Sequence, residues 1–187
     1  MKKIALLLVD FQNDYFESGL CPLENITAAA NNAAELLAYF RARQWPIVFI
    51  RHEFKSEAAS FFKPNSPGAQ IAESLAPLSD EPVILKHDVN SFLHTNLDQL
   101  LREQKISELI VCGAMSHMCI DAAVRAAHDL DYDCIVAHDA CATKTMTFND
   151  FQVPAHHVHA AHMAALKSSY AQVMSRTDVL SLLSNKD

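Results

Sequence analysis

Short, nearly unbroken apolar runs recur along the chain, separated by longer stretches in which apolar residues return every three or four positions. The runs 4–9, 47–50, 83–85, 109–112 and 134–137 have the pattern of strands covered on both faces, and 172–174 is a weaker sixth. Helical periodicity marks 26–43, 96–104, 118–130 and 154–167, with 178–183 as a short closing helix. Strand and helix alternating at this spacing predict right-handed βαβ units. The expected fold is α/β: a three-layer α/β/α sandwich around a six-stranded, mostly parallel sheet, in one domain over residues 1–187. The stretch Glu53 to Pro67, with Phe54, Phe61 and Phe62, keeps no clean period. It reads as a long loop over one sheet edge, placed to meet a substrate or another subunit.

Composition narrows the function classes. The 187 residues are 50% hydrophobic and 20% charged, which is a globular balance. A net charge of -7 with scattered Lys and Arg argues against nucleic acid or an anionic membrane as partner. No apolar stretch approaches the ~18 residues of a membrane span. The start Met1-Lys2-Lys3 imitates a secretory leader, but the apolar run ends at Val9, Asp10 follows, and no small-residue cleavage site is present. Five cysteines without a CxxC pair read as free thiols, which suits a cytoplasmic protein.

Three chemically distinct residues fall at predicted strand ends: Asp10 after the first, Lys86 after the third, and Cys119 just past the fourth. Each alone has an ordinary explanation. An Asp caps a turn, a Lys is a solvated charge, and a Cys is a small buried hydrophobe. In a parallel sheet, however, strand ends share the edge where ligands bind. Gly113 breaks the fourth strand, and the turn that follows sets Cys119 at a helix start, where unpaired N–H groups favour a thiolate. Asp10 is then a base for Cys119, and Lys86 a charge partner. Backbone amides of Met115 and Cys119 are the candidate oxyanion donors. No cofactor is needed for this chemistry.

These residues also carry a resemblance. Val9-Asp10-Phe11-Gln12-Asn13-Asp14 resembles the first-strand Asp-x-Gln-Asn-Asp signature of the isochorismatase-like cysteine hydrolases. Lys86 through Ser91-Phe92 resembles their Lys followed by Ser-Phe, and Gly113 to Ile120 resembles their nucleophile turn. Asp139-Ala140 matches a further motif after the next strand, so four motifs occur in order over about residues 4–174. The resemblance implies the Rossmann-like fold of that family and a Cys119-Asp10-Lys86 triad. It also implies a cis peptide between Ala114 and Met115, and a homodimer or homotetramer.

Within that family, a cysteine at position 119 resembles the branch that cleaves C–N bonds through a thioester, rather than the branch that hydrolyses a vinyl ether. The expected substrate is a small-molecule amide or ureide. Nicotinamidases of this branch carry an Asp-x-His metal site, whereas the matching region here is Arg51-His52-Glu53-Phe54-Lys55. No metal is expected there. His156, His157, His159 and His162 crowd one helix, but no Cys or carboxylate near them in sequence completes a ligand set. Phe16, Phe92, His117 and Met118 are the candidate substrate contacts, each with core packing or solvent exposure as its plain alternative. Two competing readings stand beside the hydrolase: a non-enzymatic α/β scaffold and a thiol redox sensor.

Overall fold

The computed structural model describes residues 3–185. Its six-stranded sheet runs β3-β2-β1-β4-β5-β8, and every neighbouring pair is parallel. The strands are β1 (Ile4–Val9), β2 (Ile47–His52), β3 (Val83–Lys86), β4 (Glu108–Ala114), β5 (Asp133–Ala142) and β8 (Gln172–Met174). The expected architecture holds, including the weak sixth strand. A two-stranded hairpin, β6 (Met146–Phe148) with β7 (Phe151–Val153), lies outside the sheet and was not expected. Its strands are three residues each, too short for a period of two to register. Among the described residues, no helix is long and apolar enough to cross a membrane.

Alternation along β1 explains the three layers. Leu6 and Leu8 face one core with α1 (Ile26–Ala42) and α5 (Arg176–Ser184). Ala5, Leu7 and Val9 face the other, with α2 (Leu97–Glu103), α3 (Asp121–Asp129) and α4 (Ala155–Ser169). All six β1 residues are therefore buried, which is why the strand reads as a continuous apolar run. The inner face of α1 carries Ala29, Ala30, Ala33, Leu36, Leu37 and Phe40, an i, i+3, i+4 stripe.

Chain order reverses between β1 and β4, and that switch point fixes where a ligand site belongs. Gly113 makes the close approach possible. It pairs with Val9, has φ of 137°, and a Cβ there would meet the Val9 carbonyl oxygen at 2.0 Å. No other residue type fits both the space and the backbone. The β4–β5 register also shifts between Val111 and Gly113, so β4 bends as it enters the turn to Cys119.

Candidate active site

Asp10, the first residue past β1, adopts a left-handed backbone with φ of 54°. A non-glycine residue pays for that conformation only where its surroundings fix it, and here the Asp10 N–H donates to Ile50 O at 3.0 Å. Lys86 closes β3, and its ammonium reaches across β2 toward Asp10 and Cys119. Nζ lies 2.9 Å from Asp10 Oδ2 and 3.2 Å from Cys119 Sγ. Asp88 O (3.1 Å) and Val89 O (3.4 Å) also lie within reach and compete for its three N–H groups. Asp10 and Lys86 are fully buried and Cys119 nearly so. The second carboxylate oxygen of Asp10, Oδ1, has no hydrogen-bond partner. The structure thus brings the three strand-end residues together around one ammonium.

Cys119 sits in a single π-helical turn (Ser116–Ile120) that leads directly into α3. The peptide between Ala114 and Met115 is cis. Met115 O accepts from the N–H groups of Met118 (3.0 Å) and Ile120 (3.2 Å), which takes those two amides out of any oxyanion site. Ser116 is fully buried and its Oγ lies 2.8 Å from His159 Nδ1, so α4 holds the turn from behind.

The electrostatics differ from the expectation of a thiolate favoured at the helix start. Burial raises the Cys119 thiol well above its ordinary range, Asp10 raises it further, and Lys86 only partly offsets both. Cys119 therefore rests as a neutral thiol. For Lys86, burial opposes the charge, but Asp10 and Cys119 outweigh it and the ammonium is held above its usual range. Tyr15 marks the wall nearby: burial, then Asp10 and Cys119, push its hydroxyl well up.

These thiols carry a stability signature. Burial raises Cys112 and Cys119 strongly, and Cys134 and Cys141 to about 12. In the unfolded chain each titrates near 8.5. The unfolded state therefore releases protons first as pH rises, so stability is intact below about pH 8.5 and falls above it. Each thiol contributes about 1.4 kcal/mol per pH unit in that window. Urea midpoints at pH 7.5 and 9.5 check this, and an unchanged midpoint would contradict it.

The remaining candidates lie further out. Phe16 packs on the α1–α5 core. Phe92 packs on the opposite core, its ring 6.1 Å from Tyr132. Met118 is exposed. His117 is engaged by Thr143 Oγ1, 2.6 Å from its Nδ1, and by the His162 ring. The His156–His162 group is likewise occupied in part by protein contacts, with His162 3.4 Å from Asp121 Oδ1. Among the described residues, no three His, Cys, Asp or Glu side chains converge as metal ligands.

The residues that sequence reasoning passed over come from the end of β2 and the loop behind it. Gln12, fully buried, brackets His52: its Nε2 donates to His52 O (2.7 Å) and its Oε1 accepts from His52 N–H (2.7 Å). The loop after β2 folds inward, with the Phe62 N–H donating to Asp14 Oδ2 at 2.6 Å. Phe54, Phe61, Phe62 and Tyr15 then form one aromatic cluster next to His52. The strand-end rule that selects Asp10 and Lys86 selects His52 equally.

Residues 4–178 match the model of the isochorismatase domain. The chain belongs to the isochorismatase family. It is 51% identical over 169 residues to YddQ, an uncharacterized isochorismatase family protein of Bacillus subtilis, covering 90% of this chain and 94% of that one. A crystal structure from Oleispira antarctica, provisionally named an isochorismatase hydrolase, superposes with a TM-score of 0.93 at 50% identity, covering 96% and 97%. A more distant relative, the maleamate amidohydrolase of Pseudomonas putida, is 25% identical over 97% of this chain and 87% of its own length. In this isochorismatase-family chain, Asp10 past β1, Lys86 at the end of β3 and Cys119 in the turn after β4 meet near the switch point of the sheet.

Proposed function

We propose that the protein is a cysteine hydrolase that cleaves the C–N bond of a small-molecule amide or ureide through a thioester on Cys119. One observation carries this reading: the buried Lys86 ammonium bridges the Asp10 carboxylate and the Cys119 thiol. Asp10 takes the Sγ proton as Sγ bonds to the substrate carbonyl carbon, and Lys86 balances the negative charge. The amides of Met115 and Cys119 hold the tetrahedral oxyanion. As the C–N bond breaks, Asp10 returns the proton to the leaving nitrogen. Water, deprotonated by Asp10, then attacks the thioester, and the departing sulfur recovers a proton. The sum is amide plus water to acid plus amine, with the enzyme unchanged. The name of the maleamate amidohydrolase supports C–N cleavage on this scaffold.

A panel of small amides and ureides, assayed for ammonia release with acid-quench mass spectrometry of the Cys119 peptide, tests the proposal. Turnover with an acyl adduct on Cys119 is expected. No turnover and no adduct, with Cys119 instead forming a disulfide under mild peroxide, would favour a redox role.

A further inference from the structure

His52 is an expensive residue to bury. It is 5% exposed, and its Nε2 has no hydrogen-bond partner. A buried ring nitrogen left unpaired is costly, and an aliphatic side chain would fill the same space without that penalty. The other nitrogen explains its presence. His52 and Lys86 are register partners on neighbouring strands, and Nδ1 lies 3.4 Å from Lys86 Nζ. The backbone of His52 is pinned on both sides by Gln12, so the ring is not free to drift from that position. Phe54 packs against the ring edge-on at 4.7 Å between centroids, and Phe62 lies tilted at 6.2 Å.

We propose that His52 is a positioning residue for catalysis: its neutral imidazole accepts a hydrogen bond from Lys86 through Nδ1 and so aims the ammonium at Asp10 and Cys119. The inference rests on the hydrolase reading above. An ammonium beside Nδ1 selects the tautomer with its proton on Nε2, because a second N–H facing Nζ would be repelled. The unpaired Nε2–H follows from serving Lys86 with the other nitrogen. Protonation puts a second cation against Lys86 and removes the acceptor. The charged and titratable groups that act on His52 are Lys86, Asp10 and His87, with Asp88 adjoining. Burial and Lys86 lower its pKa, against smaller opposing effects of Asp10 and of a hydrogen bond with the Asp88 backbone, so the neutral ring is favoured at pH 7.

Two substitutions separate positioning from packing. In His52→Asn the amide oxygen takes the place of Nδ1 and cannot titrate, whereas His52→Leu keeps bulk and has no acceptor. The expectation for His52→Leu is a fall in kcat of about tenfold with KM unchanged, as for a lost transition-state interaction. Alkylation of Cys119 by iodoacetamide, followed by mass spectrometry, should slow in parallel. His52→Asn should recover most of both rates and should lack the acid-side decline expected of the wild-type protein as His52 protonates, at a pH below the ordinary imidazole range. Equal losses in Asn and Leu variants of unchanged fold, or no loss in Leu, would overturn the proposal. Long-range nitrogen NMR of the wild-type protein adds a check that needs no variant, since a protonated Nδ1 also overturns it. If no amide is turned over, the hydrolase reading fails, while alkylation and tautomer still decide whether His52 serves Lys86.

Discussion

Cys119→Ala is expected to reduce amide turnover by about 10⁴-fold or more, to the level set by binding and oxyanion contacts alone. The substitution deletes one sulfur from a site where Asp10 and Lys86 keep each other satisfied at 2.9 Å, so no buried charge is orphaned. The cavity left is that of a single atom, and the cost to stability is about 1 kcal/mol. Activity and fold therefore separate cleanly. Ammonia release and urea unfolding on the same preparation make the comparison. Comparable turnover in Cys119→Ala would mean that the carboxylate and lysine suffice, the chemistry of a family branch that hydrolyses a vinyl ether without a cysteine.

Lys86→Met is the more damaging change. Methionine matches the length of the lysine stem, so packing is largely kept, but the Asp10 carboxylate loses its counter-charge at 0% exposure. Breaking one side of a buried ion pair costs about 3–5 kcal/mol. Activity falls as well, because burial already raises the Cys119 thiol and Lys86 is what opposes that rise. Adding Asp10→Asn to Lys86→Met should restore much of the stability and none of the activity. Urea midpoints for the two singles and the double measure the coupling directly. Additive losses would show that Asp10 and Lys86 do not act as a pair.

Why were Asp10, Lys86 and Cys119 legible before any coordinates, and His52 not? The convergence of these three residues follows from topology. Once apolar runs are assigned to parallel strands, residues just past them must share an edge, whatever their separation in the chain. His52 satisfies the same rule, but it sits beside Arg51 and Glu53, and a His between two charges reads as surface. Its burial depends on the loop behind it folding inward through the Asp14 to Phe62 contact, which no periodicity encodes. The protonation state of Cys119 was illegible for a related reason. A helix start can be read from sequence, but the depth at which it is buried cannot. The β6–β7 hairpin escaped because three-residue strands fall below the length at which alternation is visible.

Lys86 lies at the very end of β3, and β3 is the outermost strand on its side of the sheet, four residues long and held by β2 alone. Its outward residues Val83 and Leu85 are open to solvent. Edge strands are the first part of a sheet to open, at a fraction of the global unfolding free energy. The ammonium beside Asp10 and Cys119 is thus carried by one of the two edge strands of the sheet. Warming the protein should extinguish catalysis through local fraying of this edge while most of the sheet is still assembled, so that the working range of the enzyme is narrower than the range over which it remains folded.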